Sequence, residues 1–342
     1  MSDSARRRLT GFLNAIWYGG NPLGWLLWPV ALLYRTAAVL RRALYRRGLL
    51  RAVDPGAPVV VVGNITVGGT GKTPCIVWLA EALKQRGLRV GIVTRGYGGC
   101  AREWPQWVTR DSDPAQVGDE PVLLAQRTEC PVAAGPDRVA AARFLLDRCG
   151  VDVLLADDGL QHYRLGRRFE IGIVDGMRGL GNGWCLPAGP LREPVGRLDE
   201  IDAVVVNSGD WGYGDVYRAA LAPVRVMRLT DGEMRELDDF SGSEVHAVAG
   251  IGHPERFFAL LERAGVSVDR RPLPDHATIR EPDLSFDDAA PVLITEKDAV
   301  KCRSFAPGNV WAVIVDLAFE GDDGDRLMEL LMRRIEIRGE SQ

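Results

Sequence analysis

The chain has 342 residues, of which 46% are apolar and 26% charged, and its formal net charge is −4. This composition, without a low-complexity tract, predicts a folded globular protein of about two domains and excludes a disordered or fibrous chain. Six cysteines occur without Cys-x-x-Cys or Cys/His ligand spacing, which argues against a metal finger or a redox pair. We interpret them as separate thiols in a reducing compartment.

The charge is unevenly distributed along the chain. Residues 1–51 contain nine arginines and one acidic residue, so this segment carries +8 and the remainder −12. Such a basic end predicts an anionic partner surface, either a membrane or a nucleic acid. The apolar run from Leu23 to Tyr34 is shorter than the roughly 20 residues of a membrane span, and it lacks the charge order and cleavage site of a signal peptide.

From Trp25 to Leu50, aromatic and leucine side chains alternate with arginines at near-helical spacing. This pattern favours an amphipathic helix that lies in the interface of a bilayer, with its arginines near anionic headgroups. A helix docked on the core of the neighbouring domain is the alternative. Residues 1–50 are therefore predicted to form a basic, amphipathic helical segment.

From residue 51 to 225, short apolar runs alternate with helical stretches. Strands are predicted at residues 57–64, 88–96, 130–135, 151–158, 169–176 and 201–208, with helices at 73–87 and 137–150. Unbroken Val, Ile and Leu runs indicate strands that are covered on both faces. The alternation predicts a doubly wound parallel α/β domain.

The pattern changes after residue 225. Two short strand-like pieces flank Asp231 and Gly232 and predict a β-hairpin linker over residues 226–240. A smaller α/β domain is predicted over residues 241–342, with strands at 245–252, 291–298 and 309–317, a helix at 253–265 and a closing helix from Asp325.

A glycine-rich loop follows the first buried strand, in the stretch VVVVGNITVGGTGKTP at residues 59–74. Its glycines allow backbone N–H groups to turn toward a phosphate, Lys72 can reach the β- and γ-phosphates, and the Thr73 hydroxyl can bind Mg²⁺. Thr66 occupies the position where the pattern G-x-x-x-x-G-K-[ST] has glycine, but the flanking strand and helix outweigh that mismatch. An ATP site is predicted at Thr66, Val67, Gly68, Gly69, Thr70, Gly71, Lys72 and Thr73.

Acidic residues follow two other predicted elements. The strand VDVLLADD delivers Asp157 and Asp158, as in the Walker B arrangement that presents Mg²⁺ ligands beside the phosphates. Adjacent acids point to opposite sides, so one could bind the metal while the other serves the loop or a nucleophile; a capping pair is the alternative. The sequence VGDEP places Asp119 and Glu120 before a helix.

Further candidates lie in loops at the predicted ligand-binding edge of the sheet, and the long Gly/Pro-rich stretch at 178–194 is either functional or a plain connector. The candidate substrate-binding residues are Arg95, Tyr97, Gln161, His162, Arg178, Asn182, Arg192 and Glu193. His276 beside Asp275 could be a base or its oriented partner, or an ordinary exposed histidine. The sequence TEKD has its lysine one position too late for a guanine-binding motif.

Over roughly residues 15–335 the chain resembles the tetraacyldisaccharide 4'-kinases, the lipid A 4'-kinases of Gram-negative bacteria. The motifs that carry the resemblance are GNITVGGTGKTP, TRGYGG, VGDEP, DDGLQHYRL, VDGMRGLGNGWCLPAGPLRE, VAGIGHPERFF, PDHATI and TEKDAVKC, in this order. Threonine at the first loop position is itself a feature of that family.

The resemblance implies a P-loop NTPase-like kinase that transfers phosphate from ATP to the 4'-hydroxyl of a tetraacylated glucosamine disaccharide 1-phosphate, forming lipid IVA. It implies that Lys72 and Asp158 act in catalysis and that Asp119 is the base, with His276 as its partner after closure of the small domain. Mg²⁺ is assigned to Thr73, Asp157 and Glu120.

The resemblance also implies peripheral association with the cytoplasmic face of the bacterial inner membrane, without a nucleic-acid or obligate protein partner. A switch or partitioning ATPase is one alternative, although the second lysine of that class is replaced by Val67. A membrane-surface binding module with a vestigial nucleotide site is another. The retained Lys72, Thr73, Asp157 and Asp158 argue against it.

Overall fold

The computed structural model describes residues 3–275 and 277–336, with side chains for residues 11–275 and 277–335, so that His276 lies outside the described residues. The helices are α1 (Asp3–Tyr18), α2 (Gly24–Arg46), α3 (Lys72–Gln85), α4 (Pro114–Val117), α5 (Asp119–Thr128), α6 (Arg138–Leu146), α7 (Pro254–Arg263), α8 (Glu296–Cys302) and α9 (Asp323–Glu336). Short 3₁₀ helices lie at Val195–Glu200, Leu237–Phe240 and Glu281–Asp283.

The strands form one continuous sheet. They are β1 (Val59–Gly63), β2 (Val90–Thr94), β3 (Gln106–Val108), β4 (Val132–Ala134), β5 (Val153–Asp157), β6 (Phe169–Asp175), β7 (Ala203–Asn207), β8 (Tyr217–Arg228), β9 (Met234–Arg235), β10 (Glu244–Ala249), β11 (Ser267–Pro272), β12 (Val292–Thr295) and β13 (Val310–Phe319). Their order is β11-β10-β12-β13-β8-β7-β6-β1-β5-β2-β4-β3, with β9 paired to β8. The predicted α/β, P-loop-like fold class is confirmed.

The valines of β1 show why this strand lies at the centre. Val60 and Val62 face the core layer that contains helices α3, α5 and α9, whereas Val59 and Val61 face the opposite layer with α6. Both faces are therefore buried, which removes the apolar run from water and places the carboxyl end of β1 beside those of β5 and β6.

The predicted division at residues 225 and 241 stays a prediction, because the sheet runs through both parts. Strand β13 pairs antiparallel with β8, and β8 pairs with β9 around Asp231 and Gly232. The prediction of a strand over residues 291–298 was wrong at its end. Strand β12 stops at Thr295, whose hydroxyl accepts a hydrogen bond of 3.2 Å from the Asp298 N–H and caps helix α8.

The N-terminal helices lie on the loop at residues 178–194. The Trp17 indole donates to the Pro187 carbonyl at 3.0 Å, and the Tyr34 hydroxyl donates to the Arg192 carbonyl at 3.0 Å. The opposite face of α2 leaves Leu26 74% and Leu33 72% exposed. Among the described residues, no helix combines the length and apolar character that crossing a bilayer requires.

An imidazole joins three segments of the C-terminal part. His246 of β10 contacts Asp269 of β11 through Nδ1 and Asp288 through Nε2, each at 2.9 Å, and it stacks on Phe286. Arg271 also lies against Asp269, at 3.1 Å. Burial alone lowers the pKa of His246, but the hydrogen bonds and charges of the two aspartates outweigh it, so the pKa is raised.

Candidate active site

The loop after β1 is stabilised by hydrogen bonds of its own Asn64 side chain. The Asn64 side chain is fully buried; its amide donates to the Gly68 carbonyl at 3.1 Å and its oxygen accepts from the Lys72 ammonium at 3.4 Å. Gly68 and Gly71 have φ values of 109° and 97°, in the left-handed region that favours glycine. Helix α3 begins at Lys72, one residue earlier than predicted, so its N-terminal N–H groups face the loop.

The position of Thr66 explains why glycine is not needed there. Thr66 pairs with Leu191 in an isolated antiparallel bridge, and the next residue, Val67, donates its N–H to the Pro190 carbonyl at 2.8 Å. Thr66 is not among the residues with positive φ, so a side chain is accommodated without backbone strain. The first residue of the loop is thus fixed by the 178–194 segment.

The two acids at the end of β5 have different environments. Asp157 is buried; one oxygen accepts from the Thr94 hydroxyl at 3.3 Å, and the other has no hydrogen-bond partner within the described parts of the chain. Burial raises the pKa of Asp157, and the charges of Glu120 and Asp158 raise it further.

Asp158 faces the phosphate loop. Its φ of 47° turns it away from Asp157, and its carboxylate lies 3.6 Å from the Lys72 ammonium and 2.9 Å from the Arg192 guanidinium. Burial raises the pKa of Asp158, but these two cations outweigh it, and the pKa is lowered. Asp158 is therefore an ionised partner of Lys72.

The residues near Asp157 fit a magnesium ion. An orphaned, buried carboxylate oxygen is a hard ligand, and Thr73, at the start of α3, lines the same cleft as Asp157. The described residues contain no group of three His, Cys, Asp or Glu side chains that could hold a metal ion by themselves. Glu120 accepts from Lys297 at 3.0 Å through one oxygen, so only its other oxygen is left to a metal.

Two arginines of the site were missed from the sequence. Arg138, at the start of α6, is buried and donates to the Asp157 carbonyl at 3.1 Å; its pKa is lowered to about 10 by burial. Arg256 of α7 bonds Asp175 and Asn207, each at 3.0 Å. Arg138 lies in none of the quoted motifs, and although Arg256 lies in VAGIGHPERFF, that motif does not show which distant residues the arginine contacts.

Several predicted substrate-binding residues have contacts within the protein. Glu193 is buried and accepts hydrogen bonds from Gln161, at 2.9 Å, and from the Tyr163 hydroxyl. Asn182 donates its N–H to the Trp17 carbonyl at 2.8 Å and thereby ties the loop to α1. Glu193 and Asn182 therefore make contacts within the protein that stabilise the residues around the site.

Of the remaining candidates, Arg95, Tyr97 and Gln161 line the cleft. The Arg178 guanidinium stacks over Tyr18 at 4.3 Å. His162 is not among the cleft-lining residues, and burial lowers its pKa to about 4, so it is neutral at pH 7.

The acids of α5 are already in contact with the C-terminal part. The Asp119 carboxylate accepts from the Glu120 N–H at 2.9 Å and lies 3.7 Å from the Lys301 ammonium of α8. The predicted pairing of Asp119 with His276 lies outside the described residues. Their formation of a pair only on closure stays a prediction, while helix α8 of the C-terminal part packs on α5 here.

A cleft of about 760 Å³ joins these features. The loop at 67–73, Asp157 and Asp158 line one side, and Ile251, Arg256 and Phe257 of the C-terminal part line the other. This arrangement offers backbone N–H groups, a lysine and acids to a phosphorylated ligand, with apolar walls beside them.

Comparisons with known proteins agree with this geometry. The family profile described as Tetraacyldisaccharide-1-P 4'-kinase matches residues 23–336. The tetraacyldisaccharide 4'-kinase of Alkalilimnicola ehrlichii is 50% identical over 94% of this chain and 97% of the relative, and that of Nitrosococcus oceani is 48% identical over 93% of each chain.

A solved structure shares the fold as well. The crystal structure of LpxK from Aquifex aeolicus in complex with ATP has a TM-score of 0.79 and 29% identity, and the match covers 92% of this chain and 99% of that one. The phosphate loop, the paired acids and the agreement over nearly the whole length lead to one assignment: the chain belongs to the tetraacyldisaccharide 4'-kinase family.

Proposed function

We propose that this protein transfers the γ-phosphoryl group of ATP to the 4'-hydroxyl of a tetraacyldisaccharide 1-phosphate, yielding lipid IVA. The observation that carries the proposal is the cleft in which Lys72, Asp157 and Asp158 face Glu120, the neighbour of Asp119. Phosphoryl transfer requires positioning and charge neutralisation more than covalent chemistry, and this cleft supplies both.

The contacts of these residues support the following roles. The N–H groups at the start of α3 and the Lys72 ammonium hold the β- and γ-phosphates, with Asp158 fixing the lysine. Bound Mg²⁺ supplies neutralising charge, and Asp157 and Thr73 would hold it. The sugar oxygen forms a bond to the γ-phosphorus, the bond to the β–γ bridging oxygen breaks, ADP leaves, and Asp119 takes the hydroxyl proton.

The apolar face of α2 supports a membrane-bound acceptor. Leu26, Val30, Leu33 and Leu40 are exposed at helical spacing, and the sequence of residues 1–51 that contains them has nine arginines. An acceptor with four acyl chains stays in a bilayer, so we propose that this face lies in the interface on the cytoplasmic side of the inner membrane, as a peripheral anchor.

The test is transfer of ³²P from γ-labelled ATP to the tetraacyl disaccharide in detergent micelles, with thin-layer separation of the lipid product. Lys72→Ala should abolish transfer. Lys84→Ala, which changes a lysine in the last turn of α3, at the end opposite the loop, should retain it. Transfer by Lys72→Ala would refute the phosphate-loop assignment, and ATP hydrolysis at one rate with and without the lipid would favour the switch-ATPase alternative.

The base is tested separately. Asp119→Ala should reduce turnover by about 100-fold or more, as general bases do, while ATP binding changes little. Equilibrium ATP binding and turnover are measured on the same preparation. A change confined to ATP affinity would remove Asp119 from the role of base.

A further inference from the structure

The motif TEKDAVK has no role in the function proposed so far. In the structure it forms helix α8, and its two lysines, four residues apart, lie on one face. Lys297 donates to Glu120 at 3.0 Å, and Lys301 lies 3.7 Å from the Asp119 carboxylate. Two neighbouring acids of α5 thus meet two ammonium groups of α8.

Lysine is rare in this chain, and most of its lysines contact acidic residues of the site. Only four of the 42 basic residues are lysines: Lys72, Lys84, Lys297 and Lys301. Three of them contact the acids Asp158, Glu120 and Asp119. An ammonium is a compact point charge, whereas a guanidinium is a larger, bidentate donor, so lysine can approach a carboxylate without covering both oxygens.

Lys301 is itself held in place. Its ammonium donates at 2.9 Å to Asp298, which is fully buried. The other oxygen of Asp298 accepts from the Gly250 N–H and from the Thr295 hydroxyl, each at 2.8 Å. An ideal Cβ at Gly250 would lie 2.9 Å from Asp298, so glycine permits this approach. A buried charge with this many donors has one orientation.

The distance from Lys301 to Asp119 has a chemical consequence. At 3.7 Å the contact is an ionic one beyond hydrogen-bond range, so Lys301 orients Oδ2 of Asp119 without using one of its lone pairs. The other oxygen accepts from the Glu120 N–H at 2.9 Å. One oxygen of the Asp119 carboxylate is thus held by its own helix and the other faces the Lys301 ammonium of α8.

We propose that Lys301, anchored by Asp298, is a positioning residue that holds Asp119 in the orientation for accepting the proton of the sugar hydroxyl. This inference rests on the proposed function, in which Asp119 is the base. Lys301 is not among the described residues that line the cleft, and in this proposal it acts through Asp119. The contribution of helix α8 to the reaction is therefore to supply a fixed cation from the C-terminal part.

The test is a double-mutant cycle on full-length protein, with kcat, KM for ATP and melting temperature measured for each variant. Lys301→Met should lower kcat by about 10- to 100-fold, part of what a general base supplies. KM for ATP should change by less than about threefold, because the phosphate contacts remain. In the Asp119→Asn background, Lys301→Met should lower kcat by no more than about twofold further.

Two further variants separate positioning from folding. Lys301→Arg restores the charge and should recover part of the lost kcat, whereas Lys84→Met should change nothing. If Lys301→Met does not fold, Lys301→Gln takes its place in the same cycle.

The results distinguish the positioning role of Lys301 from the role of Asp119 as the base. An equal loss from Lys301→Met with and without Asp119 would overturn the positioning role. If Asp119→Asn is impaired but Lys301→Met is not, only the positioning role is wrong. Full kcat in Asp119→Asn would remove the proposed base, and the role of Lys301 with it.

Discussion

Replacement of Arg197 by methionine tests how the buried carboxylates of Glu170 and Glu193 are stabilised. Arg197 is among the largest fully buried side chains; it donates to both oxygens of Glu170 at 2.7 Å and lies 3.6 Å from Glu193. Glu193 in turn holds Gln161, a cleft residue. Arg197→Met would leave two buried carboxylates that had faced one cation.

The expected loss in the free energy of unfolding depends on the burial of Arg197 and on the partners that its carboxylates keep. Removing one member of a buried ion pair costs about 3–5 kcal/mol, and because Arg167 still contacts Glu170 at 2.8 Å we expect the lower end, about 3 kcal/mol. For a chain of 342 residues the unfolding entropy is about 0.7 kcal/mol per degree, so the melting temperature should fall by about 4 °C.

The assay is differential scanning calorimetry at pH 7, with Arg89→Met as the matched control. Arg89 makes a similar set of short contacts to Asp152, at 2.7–3.0 Å, but its side chain is 67% exposed. The control should shift the melting temperature much less, since exposed pairs are screened by water. Equal shifts in the two variants would refute the argument that burial determines the effect.

Three more predictions concern the loop, the membrane face and pH. Gly71→Ala adds a Cβ at a φ of 97° and should weaken ATP binding by about tenfold or more, seen by calorimetric titration; unchanged affinity would contradict the strain argument. Leu26→Glu with Leu33→Glu should release the protein from anionic vesicles in flotation assays, whereas Met234→Glu, an exposed site on the hairpin, should not; continued flotation of the double variant would remove α2 as the anchor. These substitutions are preferable to deleting residues 1–45, which would remove both helices and uncover the surface of the 178–194 loop on which they lie. The raised pKa of His246 stabilises the fold below the unfolded value of 6.5, and this contribution is lost as pH rises through the folded value; His246→Gln should abolish that part of the pH dependence of the melting temperature, and an unchanged profile would exclude it.

Local features could be predicted from the sequence because they depend on neighbouring residues. Three features can be recognised from runs of neighbouring residues alone. They are the four valines before the loop, the glycines within it, and the Asp157–Asp158 pair at the end of the fifth strand. The same is true of the basic, apolar helix at the N-terminus, although only the structure shows that one face docks while the other is exposed. Its contact with a membrane stays a prediction.

Contacts between distant segments depend on tertiary structure. Arg138 reaches the backbone of Asp157, and Lys301 reaches Asp119 across 182 positions because helix α8 packs on helix α5. Its position in a long loop predicts that Glu193 binds substrate, but in the structure its side chain is buried among internal hydrogen-bond donors. The sequence by itself determined the buried strands and the phosphate loop, since apolar periodicity and glycine conformations are local properties. Which charges meet, and which are removed from water, was decided only by the packing of helices on the sheet, because an ion pair has no signature in the spacing of its two residues.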